Sequence, residues 1–477
     1  MLCVPDRADG AGGLMFHIVD QMPRNPVARA VAPSYPWLAF NQGTSHEFLR
    51  IAAMPHTSRA ARMIRPVNDL AGFAEPGQSI YVAGGLTPPG AWVDALQQDP
   101  EHTRGLRITT SIAPGFPNPF DFDRLHPSAV VTGPLMRPDL TEAQRQGRFE
   151  ALPVTFTGFL RHLETQTFDL GVIQVAPADA QGRWPLGPSV EFLPAALRRC
   201  RRVVAVVNPL LPALPYGASL PADRLDAVCE AASAMPCYGA DTDEATDTIG
   251  RLVADLLDDG CTLQTGLGRV PTAIARSLRG HRRIRIHSGM VSDGLMDLAA
   301  SGALDEDCTH HTALVAGSEA LYAWLPQARG IRIVGIDETH APQTLARLRR
   351  FVAVNSALEV DLFGQCNLEH QGPRAVSGAG GAPDFARAAR TTAGGLSVVA
   401  LNATHGGGTR SRIVAALGPG AMTSLSRLDV DVVVTEFGLA DLRQASVHQR
   451  ARALIGVAAP QFREELERAW HARALTL

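Results

Sequence analysis

Cys261–Leu278 reads CTLQTGLGRVPTAIARSL. Its first part, Cys261–Thr265, is a short apolar run closed by glycine, the pattern of a buried strand. Its last part, Pro271–Leu278, spaces apolar residues as a helix does, and Pro271 suits the first helical position. Between them Gly266-Leu267-Gly268 turns the chain at a strand-to-helix junction. Glycine there permits positive φ, and a helix start offers free N–H groups to an approaching ligand. The segment is half of a βαβ unit, and its turn reads either as a ligand loop or as a tight turn and nothing more.

Working outward, the rhythm repeats on both sides. Downstream, strands are predicted at Ile284–Ile286, Ala313–Ala316, Ile331–Ile336, Val352–Val354, Leu396–Leu401 and Val430–Val434, with helices at Leu295–Ser301 and Ser318–Leu325. Upstream, Ile249, Leu252, Val253, Leu256 and Leu257 predict a helix that is capped by Asp241 or Asp243 and ends at Gly260. Pro-bracketed Leu214–Tyr216 and turn-rich Cys237–Asp243 break the pattern. Before that break, strands at Ser79–Ala83, Leu106–Ser111, Ala129–Thr132, Phe168–Val175 and Val203–Val207 alternate with helices at Phe156–Leu163 and Phe192–Cys200. This alternation predicts an α/β fold of buried parallel sheets with helices on their faces. We divide it into two open α/β domains, 51–235 and 240–477, behind an irregular N-terminal extension, 1–50. A final amphipathic helix, Phe462–Ala474, is expected to dock back. No repeat of 20–50 residues is visible.

Composition narrows the function classes. The chain has 477 residues, 45% hydrophobic and 19% charged, with a formal charge of −3. That excludes global disorder and gives no global basic surface for nucleic acid. No apolar run is long enough to span a membrane, and the first residues lack the basic and apolar regions of a signal peptide. Seven cysteines without a CxxC pair read as reduced thiols of a cytoplasmic protein. All 44 basic residues are arginine. Lysine Schiff-base chemistry, pyridoxal-phosphate attachment and the usual P-loop lysine are therefore excluded.

Two further glycine loops stand out. Ser377-Gly378-Ala379-Gly380-Gly381-Ala382-Pro383-Asp384-Phe385 exposes backbone amides, as an oxyanion or phosphate site requires, or is a flexible surface loop. His405-Gly406-Gly407-Gly408-Thr409-Arg410-Ser411-Arg412 is either a phosphate loop with two arginines or a plain hairpin. Glu436 follows a strand, where parallel sheets deliver active-site groups, or else pairs with an arginine. Asp307, Cys308, His310 and His311 are not expected to bind metal, since adjacent histidines point apart and no HExxH or CxxC accompanies them.

Seven segments, in order, carry a resemblance: LQTGLGRVPTAI (263–274), IHSGMVSDGLMDLAASGAL (286–304), VNSALEVDLFGQ (354–365), SGAGGAPDF (377–385), SRIV (411–414), VVTEFGLADLR (433–443) and RARALI (450–455). Through most of residues 60–470 the chain resembles the acetyl-CoA hydrolase/transferase family, especially its 4-hydroxybutyrate CoA-transferases. The resemblance implies two CoA-transferase-type domains facing across a cleft, often as a homodimer. It also implies CoA bound mainly on the C-terminal domain as substrate or thioester carrier, with no metal or NAD. Family transferases attack the acyl-CoA with a glutamate and pass through a glutamyl-CoA thioester. That glutamate belongs to a segment reading IH-S/T-E-M, and here the segment is Ile286-His287-Ser288-Gly289-Met290. Gly289 takes the place of the nucleophile. Ala382 and Pro383 stand where the family has Gln and Val, Thr87 where related enzymes can have glutamate, and Leu428 at an asparagine position, so the resemblance implies polar groups lost around the acyl side, whereas the CoA-side glycines Gly266, Gly268, Gly378, Gly380 and Gly381 remain, with Arg412 beside the third loop.

The preferred expectation is an atypical acyl-CoA-processing enzyme. Water or another acceptor, such as a small carboxylic acid, attacks the thioester directly, with Glu436, His287 or Asp293 moving the proton. The alternatives are a non-catalytic CoA-ester binder or regulatory homologue, and a transferase using another carboxylate. A dehydrogenase rests on the 266–268 turn alone, where Pro271 replaces the third glycine of a dinucleotide fingerprint.

Overall fold

A computed structural model describes residues 65–214, 217–221 and 223–476, all within one compact unit, Thr57–Leu477. The expected extension at 1–50 lies outside the described residues. Two large sheets organise the unit. The first comprises β1 (Ser79–Val82), β2 (Arg107–Thr109), β3 (Val130–Gly133), β4 (Phe149–Ala151), β5 (Phe168–Val175), β6 (Cys200–Val207) and β7 (Ala227–Glu230). The second comprises β8 (Thr262–Gln264), β9 (Arg285–Val291), β10 (His310–Val315), β11 (Ile331–Ile333), β12 (Phe351–Asn355), β13 (Leu396–Ala400), β14 (Val432–Thr435) and β15 (Gly438–Asp441).

The sheets share one strand order. The first runs β4-β3-β2-β1-β5-β6-β7, all parallel, and the second runs β11-β10-β9-β8-β12-β13-β14, also parallel, with β15 added antiparallel at the edge. In each sheet the chain steps outward from its first strand and then crosses to that strand's other side. The reversal leaves a crevice at the carboxyl ends of the strands, between β1 and β5 and between β8 and β12.

The predicted strands match those observed to within a few residues because buried parallel strands are apolar on both faces. β14 is buried throughout, and β5 is buried at every position but one. One apolar layer joins the sheets, with Ile173 and Val203 from the first and Leu263, Val354 and Val398 from the second. The segment before the helix Leu193–Leu197 fastens the two halves. Val190 and Glu191 N–H groups reach Ala313 O, Val315 N–H reaches Pro188 O, and Ile336 N–H reaches Glu191 O.

The helices used below are α1 (Phe156–Thr165), α2 (Glu244–Ala254), α3 (Arg269–Ser277), α4 (Gly294–Ala300) and α5 (Ala382–Thr391). Asp243, not Asp241, caps α2, in a capping box with Thr246. α2 stops at Ala254, short of Gly260. Pro271 falls third in α3, still within the turn whose N–H groups have no helical acceptor. The expected strand Ile331–Ile336 divides, since Ile336–Thr339 coils into a short helix once Ile336 N–H is taken by Glu191 O.

Candidate active site

The crevice of the second sheet opens into a cavity of about 480 Å³. Gln264 at the end of β8 and Thr265 after it, Gly289 and Met290 of β9, and Asn355 of β12 form its floor. The N-terminal half closes it with Phe116, Leu135 and Phe156. The corresponding crevice of the first sheet holds only about 10 Å³. There the Glu191 carboxyl receives the Ser111 and Ser189 hydroxyls, at 3.1 Å each, and burial pushes its pKa up to about 7. Thr87 belongs to this filled crevice, away from the open cavity.

Both ligand-loop candidates border the open cavity. Gly266 and Gly268 do so at the start of α3, and Gly378, Gly380 and Gly381 at the start of α5. Gly378 packs so tightly on the other half that a Cβ would stand 2.7 Å from Pro134 O. The N–H groups of residues 378–381 donate to no acceptor among the described residues, so they are available to an oxyanion or carbonyl. Phe156 N–H to Gly380 O (3.0 Å) and Thr157 Oγ1 to the Asp384 carboxyl (2.6 Å) fasten this loop to α1.

Of the expected catalytic positions, Gly289 and Asp293 reach the cavity. Asp293 is the sole acidic side chain lining it among the described residues, and it is already engaged. Its oxygens accept Ser318 N–H at 3.1 and 3.2 Å, and the Ser318 hydroxyl as well. His287 lies behind the wall. Its Nε2 bonds Thr339 O at 2.7 Å, and burial pushes its pKa down to about 4. Ser288 donates to Thr265 O (2.6 Å) and makes no pair with His287.

Glu436 and Arg412 stand together elsewhere. Glu436 accepts Ala403 N–H at 2.8 Å. Arg412 lines a second pocket of about 430 Å³ and donates to Ala357 O and Leu358 O, both at 3.3 Å. Burial lowers its pKa, against the pull of the Glu359 and Glu436 carboxylates. The third glycine loop is a hairpin tip, with Thr404–His405 pairing Arg410–Ser411. Leu428, read from sequence as a change on the acyl side, is 61% exposed and does not line the cavity. His310 and His311 do point apart. His310 turns inward to Ile286 N–H (3.1 Å), and His311 faces Glu338 (3.7 Å).

Three polar groups absent from the sequence reading complete the wall. Gln264 Oε1, Asn355 Nδ2 and His340 Nε2 are buried, belong to residues that border the cavity and have no hydrogen-bond partner among the described residues. Unpaired buried groups of this kind mark a place where a ligand supplies the partner. Gln264 and Asn355 stood inside recognised segments, at strand ends facing the crevice. His340 carried no signal, since it follows a short helix, Ile336–Thr339, to which the sequence assigns no element beyond Ile336.

Comparison with known proteins agrees with this architecture. Residues 317–470 match the acetyl-CoA hydrolase/transferase C-terminal domain. The chain is 31% identical over 402 residues to the 4-hydroxybutyrate coenzyme A transferase of Clostridium kluyveri, covering 81% of this chain and 92% of that one. It is 33% identical over 336 residues to the succinyl-CoA:cyclohexane-1-carboxylate CoA transferase of Geobacter metallireducens, covering 69% and 77%. The crystal structure of 4-hydroxybutyrate CoA-transferase from Porphyromonas gingivalis superposes with a TM-score of 0.70 at 27% identity, covering 86% and 97%.

Proposed function

Because the chain belongs to the acetyl-CoA hydrolase/transferase family, we propose that its cavity takes the thioester end of an acyl-CoA. We propose further that it cleaves the carbonyl–sulfur bond without a glutamyl-CoA intermediate, by direct attack of water or of an acceptor. One observation carries this reading. Among the described residues the cavity offers no free carboxylate, since Gly289 has no side chain and Asp293 is bound to Ser318. This reading therefore takes the nucleophile from solution. The unpaired Asn355 Nδ2 and the N–H groups of residues 378–381, without acceptors among the described residues, support an oxyanion site in this reading. Aromatic and aliphatic walls (Phe116, Leu135, Phe156, Tyr238, Phe385) favour an uncharged acyl group. A cytoplasmic homodimer belongs to the same reading.

The test combines thiol release with intact-protein mass after incubation with a panel of acyl-CoAs, with and without carboxylic acids. Free CoA without acceptor and without a protein adduct is the expected result. A CoA or acyl adduct on a Glu or Asp overturns direct attack in favour of a carboxylate nucleophile. No release, with tight CoA binding by calorimetry, makes the chain a binder.

A further inference from the structure

The crevice of the first sheet lies at the same point of its strand order as the open cavity does in the second, and the chain fills it with a carboxyl of its own. Gly84 and Gly85 come just after β1, as Gly266 and Gly268 come just after β8. A Cβ on Gly84 would stand 2.5 Å from the Ser111 backbone, and one on Gly85, at φ +60°, would fall on the Glu191 carboxyl itself. The two glycines therefore leave room for Glu191, whose oxygens meet the Ser111 and Ser189 hydroxyls. Glu191 sits at φ +41°, a left-handed conformation that a residue with a side chain keeps only where its surroundings over-determine it.

This strained residue also fastens the halves. Its N–H reaches Ala313 O at 3.2 Å and its carbonyl takes Ile336 N–H at 2.7 Å, flanked by Val190 N–H to Ala313 O (3.0 Å) and Val315 N–H to Pro188 O (2.8 Å). The carboxyl is thus seated in the first sheet, while the peptide groups hold β10 and the short helix Ile336–Thr339 of the second half. Nothing in the crevice balances a negative charge. Tyr81, Thr87, Ser111, Gln174 and Ser189 face the carboxyl, and no arginine or histidine lines the crevice among the described residues. Burial pushes the Tyr81 hydroxyl and the neighbouring Cys200 thiol upward, so both are neutral. Across the joint, Arg198 and Asp337 pair with each other at 3.0 Å.

The structure assigns Glu191 the part of a proton-operated latch: its carboxyl, seated neutral in the first crevice, keeps the strained 188–191 segment bonded to the second half, and loss of the proton loosens that joint. With a proton on one oxygen, the carboxyl donates to one serine and accepts from the other. Once the joint opens and water reaches it, the carboxyl ionises at its ordinary value of 4.5, whereas the seated one holds its proton to about 7. Between those values opening releases one proton to solvent, so a rise in pH favours the open joint. Above about 7 both forms are ionised and the dependence ends.

Hydrogen exchange read by mass spectrometry tests this on peptides spanning 188–193, 313–316 and 334–340, in the wild-type chain, E191Q and E191A. Rates from pH 5.5 to 8.5 are corrected for the intrinsic pH dependence of exchange. In wild type the corrected opening should increase about tenfold per pH unit up to about 7 and level off beyond it. E191Q, neutral and of the same shape, should hold the joint without that rise. E191A, with no group to seat, should open it by about tenfold or more at pH 6. A flat wild-type profile overturns the latch, and so does an equal rise in E191Q, which places the proton on another group. E191A protection within about threefold of wild type also overturns it, because the carboxyl then holds nothing. Where E191A does not fold, the wild-type and E191Q profiles decide alone.

Discussion

Gly289→Ala probes the narrowest point of the site. The backbone at 289 lies outside the positive-φ region, so alanine is sterically acceptable to the chain itself. Its Cβ would stand 3.1 Å from His340 Cε1 and 3.5 Å from Phe385 Cε2, against the ~3.5–4.0 Å at which carbon atoms rest. The ring would have to retreat by several tenths of an ångström. Thr339 holds it by Nδ1, and Gly381 and Phe385 leave no space behind it. Overpacking of this kind costs ~1–3 kcal/mol. Gly→Ala returns ~0.4–1 kcal/mol by restricting the unfolded chain. We therefore expect net destabilisation of roughly 0.5–2 kcal/mol. Urea unfolding should show it as a lower midpoint at unchanged slope, accompanied by reduced CoA release. A variant stabilised by the full alanine gain, with unaltered turnover, would refute the claim that the histidine is pinned against residue 289.

Three further outcomes follow from the same structure. Asp293→Asn weakens the bonds to Ser318 and should cost roughly 1–3 kcal/mol in urea titration, with kcat for CoA release within about threefold of wild type. Arg412→Ala leaves the Ala357 and Leu358 carbonyls without their donor, and should cost a similar ~1–3 kcal/mol by the same measurement. Acid should weaken the fold early. His287 and His310, lowered to about 4, and His340, lowered to about 3, stay neutral when folded, whereas the unfolded chain protonates near 6.5. Their contribution is complete above that pH and is lost as pH falls towards the folded values, by ~1.4 kcal/mol per unit for each group. Glu191, raised to about 7, acts oppositely between about 4.5 and 7 and offsets one of the three. Urea midpoints should therefore drop between pH 7 and 5.5, and a flat profile would contradict the burial of these rings.

Strand positions were legible because continuous apolar runs such as Phe168–Val175 have few other ways to be buried. The glycine loops were legible because helix starts after strands follow local rules. Pairing order was not. Ile80 lies against Leu170 and Thr262 against Phe351, partners that no local pattern connects. The shared order of the two sheets was invisible for the same reason, since it is a likeness of connection and not of residues. In the site, Gly289 was found through the family motif in which it replaces the glutamate, and Asp293 lies in the same resembling segment; the structure sets them on β9 and at the start of α4. His340 was missed because its position depends on Ile336 bonding Glu191, a contact between halves. His287 was singled out by its place next to residue 289, and only the structure reveals that its ring turns to Thr339.

The common apolar layer has a consequence for the order of synthesis. Every strand of the first sheet has emerged by Glu230, whereas the second sheet gains its last strand at Asp441. At ~5–20 residues per second a ribosome needs roughly 10–40 s to cover that distance. Throughout that interval the inner face of the first sheet, with Ile173 and Val203, lacks the partner that finally covers it. The nascent chain thus presents a broad sticky surface for many times longer than a sheet takes to form. Chaperone attachment should concentrate in that window, and slowing translation after codon 230 should lower the yield of soluble protein.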